Sequence, residues 1–289
     1  AATAVADEQE KLTIDATRSL DSALVYGHVE LLRAALDAGA NLAEHRGIDG
    51  EAVLHQVRDW HEESFIRALL AGGAPIDVAS ERGETPLHRA AHQNPAAVRL
   101  LLAGGARVGA RDRHGATPLH GARPDEVVAA LLAAGADPCA QLTNGFRPIH
   151  MAKSVDIVDR LIAAGADLHA VARDGTTSLH RFASWGDAPL VRHVLALGFE
   201  PDVRDERGLA PMHDALDAEI VAALVDHGAH IEARDHRGRT PLMTVSRPDV
   251  VRALLARGAR IDAVDDRGRT VLHHPRAAPE VAKIGRAHV

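Results

Sequence analysis

The chain has 289 residues, and 33 lysines and arginines against 40 aspartates and glutamates give it a net charge of −7. This acidic balance argues against nonspecific nucleic-acid binding, and 46% hydrophobic with 25% charged residues is typical of a folded rather than a disordered chain. No uncharged apolar run approaches the roughly 20 residues of a membrane span, and the single cysteine, Cys139, excludes internal disulfides and cysteine-rich metal sites. We therefore expect a cytoplasmic protein with no nucleic-acid or membrane partner.

The N-terminal part of the chain lacks the motif that opens each later part. We assign residues 1–14 to a flanking segment. Residues 15–49 carry the pattern of a repeat's second helix, from Gly27 through Leu31 and Leu32 to Gly39 and Ala40. We expect these residues to form an N-terminal cap, because terminal units of a repeat array are atypical.

From residue 50 onward the sequence repeats itself every 30 to 33 residues. Each repeat opens with a hexapeptide that begins with glycine and in most copies ends with histidine, and we name each repeat by that glycine. The copies are GEAVLH at Gly50, GETPLH at Gly83, GATPLH at Gly115, GFRPIH at Gly145, GTTSLH at Gly175, GLAPMH at Gly208, GRTPLM at Gly238 and GRTVLH at Gly268. A second signature, LLxxGA or a close variant, follows most of them.

The residues of one repeat predict two helices and a turn. In the Gly83 repeat, Thr85 is a helix-capping residue and Pro86 suits the first helical position. The apolar spacing of Val98 and Leu101 predicts a second helix, which ends at Gly105 in a left-handed conformation. The segment between successive repeats, for example 233–238, is predicted to form a projecting turn.

This two-part motif resembles the ankyrin repeat, and the resemblance covers residues 15–283 as about nine repeats. It implies an all-α solenoid of stacked antiparallel helix pairs with projecting turns. Helices this short are marginal alone, so adjacent repeats must stabilise one another, and an extended surface favours macromolecular recognition over catalysis. We expect the last repeat, from Gly268, to be truncated and residues 284–289 (IGRAHV) to be a non-native tail, because that string resembles a translated sequencing adapter.

The repeats differ in the length of their first, inner helix. The Gly115, Gly145, Gly208 and Gly238 repeats have about three residues fewer between the motif and the second glycine. We predict that their inner helices lose most of a turn. The Gly50, Gly83 and Gly175 repeats should keep a full inner helix, and the Gly175 repeat should form a ridge between two shallower troughs.

Nineteen histidines raise the question of metal or acid–base chemistry. In the ankyrin family the histidine that ends the motif implies a structural role, with hydrogen bonds within and between repeats. Seven histidines hold this position: His55, His88, His120, His150, His180, His213 and His273. His227, His230, Asp235 and His236 cluster near one turn, but ligation there would need convergent geometry on a loop. We predict no metal and no cofactor, and a structural role for Cys139.

Common catalytic and nucleotide-binding strings, such as H-E-x-x-H, GxxxxGK[ST], GxGxxG and GxSxG, do not occur in the sequence. We therefore predict no catalytic residue and no enzymatic activity. Lysine at only three positions, against abundant arginine, indicates a GC-rich gene and hence a bacterial source.

Aromatic residues recur at the end of the inner helix. Trp60, Trp185 and Tyr26 share this repeat position, which in the ankyrin family usually faces the partner. Aromatic rings on a presented surface are typical binding anchors. The alternative is that each ring folds back onto its own inter-helix loop.

The turn tips become arginine-rich toward the C-terminus. Arg207, Arg237 and Arg239 flank the tip glycines, as do Arg267 and Arg269. One interpretation is an acidic partner segment steered to these tips. The other is ordinary solvated charge, partly compensated by aspartates in the same turns.

We conclude from the sequence that the chain is a monomeric protein–protein interaction module. Its candidate contacts lie at inner-helix ends and turn tips, and they are Trp60, Trp185, His92, Gln93, Arg207, Arg237 and Arg239. Two alternatives stay open. The chain is the recognition arm of a larger enzyme or effector, or it is a small-molecule or metal sensor.

Overall fold

The computed structural model describes residues 16–47, 51–58, 62–274, 279 and 281–283. Within these ranges the chain forms helices and turns without a β-strand, and two isolated bridges pair Arg46 with Ala52 and Val171 with Thr177. No helix in the described ranges is long and apolar enough to cross a membrane. The contacts divide the chain into two compact units, Ala1–Leu142 and Thr143–Val289.

The first unit consists of short helices connected by turns. Its elements are, in chain order, α1 (16–26), α2 (Val29–Asp37), the 3-10 turn Val53–Gln56, α3 (Glu63–Ala71), α4 (Pro86–Gln93), α5 (Pro95–Ala103), α6 (Pro118–Gly121) and α7 (Asp125–Ala133). The second helices of successive repeats, α2, α3, α5 and α7, pack side by side. The inner helix α4 packs against α5 of its own repeat and against α6 of the next.

The second unit repeats the same arrangement. Its elements are the 3-10 turn Pro148–Met151, α8 (Val155–Ala163), α9 (Ser178–Trp185), α10 (Ala188–Ala196), the 3-10 turn Pro211–Asp214, α11 (Ala218–Asp226), α12 (Pro241–Thr244), α13 (Pro248–Ala256) and the 3-10 turn Val271–His273. The outer helices α8, α10, α11 and α13 pack in that order, while α9 contacts the inner turns before and after it. These helix pairs confirm the predicted fold class.

The predicted start of the inner helix is confirmed, and the Thr85 hydroxyl lies 2.9 Å from Nδ1 of the motif histidine, His88. Thr85 is extended and Pro86 begins α4. The backbone N–H of Thr85 donates to Nδ1 of His88 at 3.0 Å, so histidine takes the position that glutamate holds in a capping box. The tight link to α5 is capped by Asn94, whose Oδ1 accepts the N–H of Ala97 at 2.8 Å.

The core is built mainly from aliphatic side chains on facing helices. Val98 and Leu101 of α5 are buried, as are Val158 and Leu161 of α8. Phe182 of α9 is fully buried, and α9 packs against α10 and the following repeat's inner turn. Each outer helix therefore buries one face and exposes the other, which is the pattern of an amphipathic surface helix.

The predicted difference in inner-helix length is confirmed for six of the seven repeats in question. The inner helices α4 and α9 have eight residues, whereas the inner elements of the Gly115, Gly145, Gly208 and Gly238 repeats have four. The prediction of a full inner helix in the Gly50 repeat is wrong within the described residues. Its 3-10 turn ends at Gln56, and Val57 is extended. The turn starts at Ala52, which has no side-chain oxygen to cap a helix.

The structural role of the motif histidines is also confirmed. In the Gly175 repeat, His180 accepts the Thr177 N–H at Nδ1 (3.3 Å) and its Nε2 donates to the Leu209 carbonyl of the next repeat (3.0 Å). His55, His88 and His213 likewise reach a carbonyl in the following repeat. In His180 the carbonyl only accepts, so Nε2 carries a proton, and Nδ1 accepts an N–H, so that nitrogen carries none and the ring is neutral. These side chains bind adjacent repeats together.

Candidate protein-binding surface

The last three turn tips, at Gly208, Gly238 and Gly268, are each organised by one buried aspartate. In the Gly238 repeat, Oδ1 of Asp235 accepts the backbone N–H groups of Arg237 and Arg239 at 2.9 and 2.8 Å. Its Oδ2 accepts Nε–H of Arg239 at 2.7 Å, and the carboxylate side chain is only 1% exposed. Asp265 makes the same contacts in its own turn, and Asp205 accepts the same two backbone N–H groups but pairs its Oδ2 with Arg207, two residues on. The tips are therefore rigid platforms rather than loose loops.

Sequence analysis missed a second arginine in these turns, four residues before the tip glycine. Nη1 of Arg234 donates to the carbonyl of Gly238 in its own turn at 3.1 Å and to that of Val264 in the next turn at 2.9 Å. Arg204 and Arg111 join successive turns in the same way. The recurrence of arginine at this position in three repeats is a signal that could have identified them.

The structure distinguishes the three predicted tip arginines. Arg239 is 26% exposed and paired with buried Asp235. Arg207 pairs with Asp205 at 2.9 Å, but its side chain is 70% exposed. Arg237 is exposed and forms no ion pair with any described residue. Only Arg237 thus keeps its whole charge available for a partner.

The carboxyl group of Asp235 is stabilised in its ionised form. Burial by itself raises the pKa of Asp235, but hydrogen bonds from the side chain and backbone of Arg239 and from the backbone of Arg237 outweigh it and lower the pKa below 3.8. A carboxylate that accepts several N–H groups is stabilised as the anion. The platform is therefore charged and intact at neutral pH.

Removing this carboxylate should destabilise the second unit. We expect Asp235→Ala to lower the free energy of unfolding by about 2 kcal/mol, since it leaves two backbone N–H groups without their acceptor. Asp235→Asn keeps an oxygen for these N–H groups and should cost less. Urea unfolding of both variants measures the difference, and equal losses would mean that the ion pair, not the turn, carries the effect.

A cleft of about 340 Å³ lies beside these tips in the second unit. Two predicted residues, Arg207 and Arg239, line it. The other lining residues, which sequence analysis missed, are Leu209, Asp214, Met243, Thr244 and His274. They come from three successive repeats, whose equivalent positions lie about thirty residues apart, so only stacking brings the three groups together.

Two polar residues at the cleft differ in their hydrogen bonding, because Thr244 donates to the fold whereas Nε2 of His274 is buried without a hydrogen-bond partner. The hydroxyl of Thr244 donates to the carbonyl of His213 at 2.8 Å. His274 is buried with Nε2 at 3.4 Å from Oδ2 of Asp265. Burial and then the charge of Arg269 lower the pKa of His274, so its ring is neutral at pH 7. Positive charge at the cleft therefore comes from its arginines.

Trp185 ends helix α9 and is half-buried. The Nζ of Lys153 lies 3.0 Å from the centroid of its ring, and Cζ of Arg181 lies 4.5 Å from it. Arg181 also lies 5.0 Å over the ring of Phe146. Trp185 is thus part of a cluster with cations of its own and the preceding repeat.

The remaining predicted contacts lie elsewhere. His92 is half-buried next to Gly121, where a Cβ would meet its Cε1 at 2.9 Å, and Gln93 is exposed. Burial and then the charge of Arg123 lower the pKa of His92. Both residues belong to the first unit, whereas Trp185 and the tip arginines belong to the second. Trp60 lies outside the described residues.

The possible metal-binding cluster around one turn does not converge. Nδ1 of His227 contacts the carbonyl of Ala223 at 2.8 Å, within its own helix. Asp235 is committed to its turn and to Arg239. Among the described residues, no three His, Cys, Asp or Glu side chains are close enough together to hold a metal ion.

Comparison with protein families identifies the repeat. A model described as "Ankyrin repeats (3 copies)" matches residues 19–112, 54–141 and 149–235, and a model described as "Ankyrin repeat" matches residues 237–266. The chain belongs to the ankyrin-repeat family. Comparison with curated proteins gives no match.

Among solved structures, this ankyrin-repeat chain is similar to the ankyrin repeat domain of Bcl-3, which is described as a unique member of the IkappaB protein family. The two are 28% identical with a TM-score of 0.52, and the match covers 72% of this chain and 99% of that one. Both comparisons support a protein-interaction module in the general sense. The comparisons do not identify the residues that contact a partner.

Proposed function

We propose that the chain is a non-enzymatic module that binds an acidic segment of a protein partner at the turn tips of its second unit. The observation that carries this proposal is the cleft with Arg207 and Arg239 in its lining, since exposed Arg237 lies in the same turn as Arg239. Guanidinium groups match carboxylates in geometry and charge. An acidic segment could pair with the tips and place a side chain in the cleft.

The fixed turns favour this function for a physical reason. Arg239 is held by Asp235 and Arg207 by Asp205, so their side chains lose little conformational freedom when a ligand binds. Each guanidinium has five N–H donors and uses only part of them in its ion pair. The remaining donors are already oriented, which lowers the cost of recognition.

We further propose that the other predicted contacts extend this surface. Half-buried Trp185 belongs to the same unit, while His92, Gln93 and Trp60 would serve a partner that also reaches the first unit. The acidic composition and single cysteine support a monomeric, cytoplasmic module without a cofactor, and the scarcity of lysine supports a bacterial source. The repeat domain is proposed to span residues 15–283.

A charge reversal at Arg237 tests the proposal. A labelled glutamate-rich peptide serves as the probe, and fluorescence anisotropy at two salt concentrations gives its affinity. We expect Arg237→Glu to weaken binding about fivefold at low salt and less at high salt, because the lost attraction is between exposed charges. Arg237 has no ion pair to break, so the fold should be unaffected.

The matched control is Arg160→Glu, which makes the same charge change on an exposed position of the outer helix α8. It should leave the affinity for the peptide nearly unchanged. Equal weakening by both variants would show that only net charge matters, and no binding of the peptide by the unmodified chain would contradict an acidic partner. Arg239 is unsuitable for this test, because its reversal would leave buried Asp235 beside a second carboxylate.

A further inference from the structure

Two repeats carry an arginine directly after the motif histidine, in the same register. They are Arg89 in the Gly83 repeat and Arg181 in the Gly175 repeat. Both belong to the eight-residue inner helices α4 and α9. This equivalence allows the surroundings of one arginine to be compared with those of the other.

Arg89 forms ion pairs with two carboxylates. It pairs with Glu51 and, at 3.4 Å from its Nε, with Oε2 of Glu84. These glutamates directly follow the tip glycines of the preceding repeat and of its own repeat. In the Gly83 repeat the fold therefore places two anions around the inner-helix arginine.

Arg181 has no carboxylate at either of the two equivalent positions. The two equivalent positions hold Phe146 and Thr176. Within the described part of the chain, no carboxylate oxygen lies within 4 Å of the Arg181 guanidinium, whose Nη2 contacts only the sulfur of Met151 at 3.8 Å. Its Nε is buried without a hydrogen-bond partner, as is Nε of Arg89, so the difference between the two arginines lies in the carboxylates around them. The charge of Asp174 attracts Arg181 only through space, because the Asp174 carboxylate accepts the backbone N–H of Thr176 instead.

The aromatic neighbours fix this cation without neutralising it. Phe146 and Trp185 lie 5.0 and 4.5 Å from Cζ of Arg181. Rings stabilise a guanidinium through its flat faces, whereas carboxylates bind the N–H groups along its edge. A half-buried cation whose edge meets no carboxylate lacks the partner that would compensate its lost hydration.

We propose that Arg181 is the docking point for a carboxylate side chain, glutamate or aspartate, of the protein partner. The partner's carboxylate would take the place that Glu51 and Glu84 hold at Arg89, with Phe146 and Trp185 on the faces of the guanidinium. A carboxylate is favoured over other anions because the same register is occupied by carboxylates in the Gly83 repeat. This inference rests on the proposed function and adds a second, more specific contact to the tips.

Binding is tested in a Trp60→Phe background, where Trp185 is the only tryptophan and reports on its own surroundings. The probes are the glutamate-rich peptide and a glutamine-rich peptide of equal length. We expect the emission of Trp185 to change with the first peptide and not with the second. Arg181→Met keeps much of the packing volume, and it should weaken binding about tenfold and abolish the emission change. Arg160→Met is the control for lost charge.

Stability gives a second measurement that needs no ligand. Arg89→Met should lower the Tm, because Glu51 and Glu84 lose their cation, whereas Arg181→Met should leave the Tm unchanged or raise it. An equal loss of Tm in both variants would overturn the proposal and make Arg181 a structural residue.

The outcomes also separate this inference from the proposed function. Peptide binding that is weakened by Arg237→Glu but not by Arg181→Met, with no change in Trp185 emission, would overturn the Arg181 site and leave the tip surface standing. No binding of the glutamate-rich peptide by the unmodified chain would overturn both.

Discussion

Acidification from about pH 7 to pH 4 is expected to lower the free energy of unfolding by about 3 kcal/mol through His150 alone. Burial is the main reason that the pKa of His150 falls from 6.5 to about 4 in the folded chain. The unfolded chain binds its proton near pH 6.5, before the folded chain does. The stabilisation is therefore complete above pH 6.5, declines as the pH falls toward 4, and changes no further below that.

Other motif histidines should also lower the free energy of unfolding as the pH falls. Burial is also the largest cause that lowers the pKa of His55, His180 and His213. Protonation would place a second proton on Nδ1, where His180 and His213 accept a backbone N–H. The combined loss should exceed that of His150 alone.

Urea unfolding at several pH values measures this effect. The range from pH 7 to pH 4 lies above the pH at which Asp235 and Asp249, with pKa values below 3.8, would lose their charge. The effect of the histidines on stability can therefore be measured apart from that of these carboxylates. His150→Gln should reduce the slope of stability against pH, even if it lowers stability at pH 7. A stability that is constant between pH 7 and pH 4 would contradict the neutral, buried histidines.

A single methyl group at Gly175 is expected to cost roughly 3 to 4 kcal/mol. Gly175 has a φ of +78°, which disfavours any residue with a Cβ by roughly 1–2 kcal/mol. A Cβ there would also lie 2.7 Å from the N atom of Glu206 and 2.8 Å from Cα of Asp205 in the next turn. Backbone atoms cannot move aside without separating the turns, so overpacking adds to the strain.

Gly165 provides the matched control in the same unit. Its φ is +95°, but a Cβ would meet nothing within 4 Å. We expect Gly165→Ala to cost about 1–2 kcal/mol from backbone strain alone. Chemical unfolding of both variants gives the difference, which measures the close approach of successive turns. Equal losses would show that the turns do not pack as tightly as the structure indicates.

These turns combine structural and binding roles, which affects how mutations at the surface should be interpreted. Arg234 joins two turns, and Arg239 neutralises buried Asp235 while lining the cleft. A variant of either residue would change stability and binding together. Arg237 and Arg181 are better probes, because neither forms an ion pair among the described residues.

Much of the fold follows from local patterns. The Thr85–Pro86 pair predicts where α4 begins, and the three residues missing from the Gly145 and Gly208 repeats predict their single inner turns. Such features depend on residues within one repeat, so the order of residues is sufficient. The Gly50 repeat is the exception, because the number of residues available there did not ensure that they would form a helix.

The sequence by itself therefore determined the repeat, its helix pairs, the structural histidines and the general role in protein interaction. Only the tertiary structure decided which arginines are neutralised, what surrounds Arg181 and Trp185, and which side chains line the cleft. The physical reason is the separation along the sequence of the residues that interact. Helix starts and caps depend on neighbours three or four residues away, whereas ion pairs and clefts depend on side chains about thirty residues apart that meet only when repeats stack.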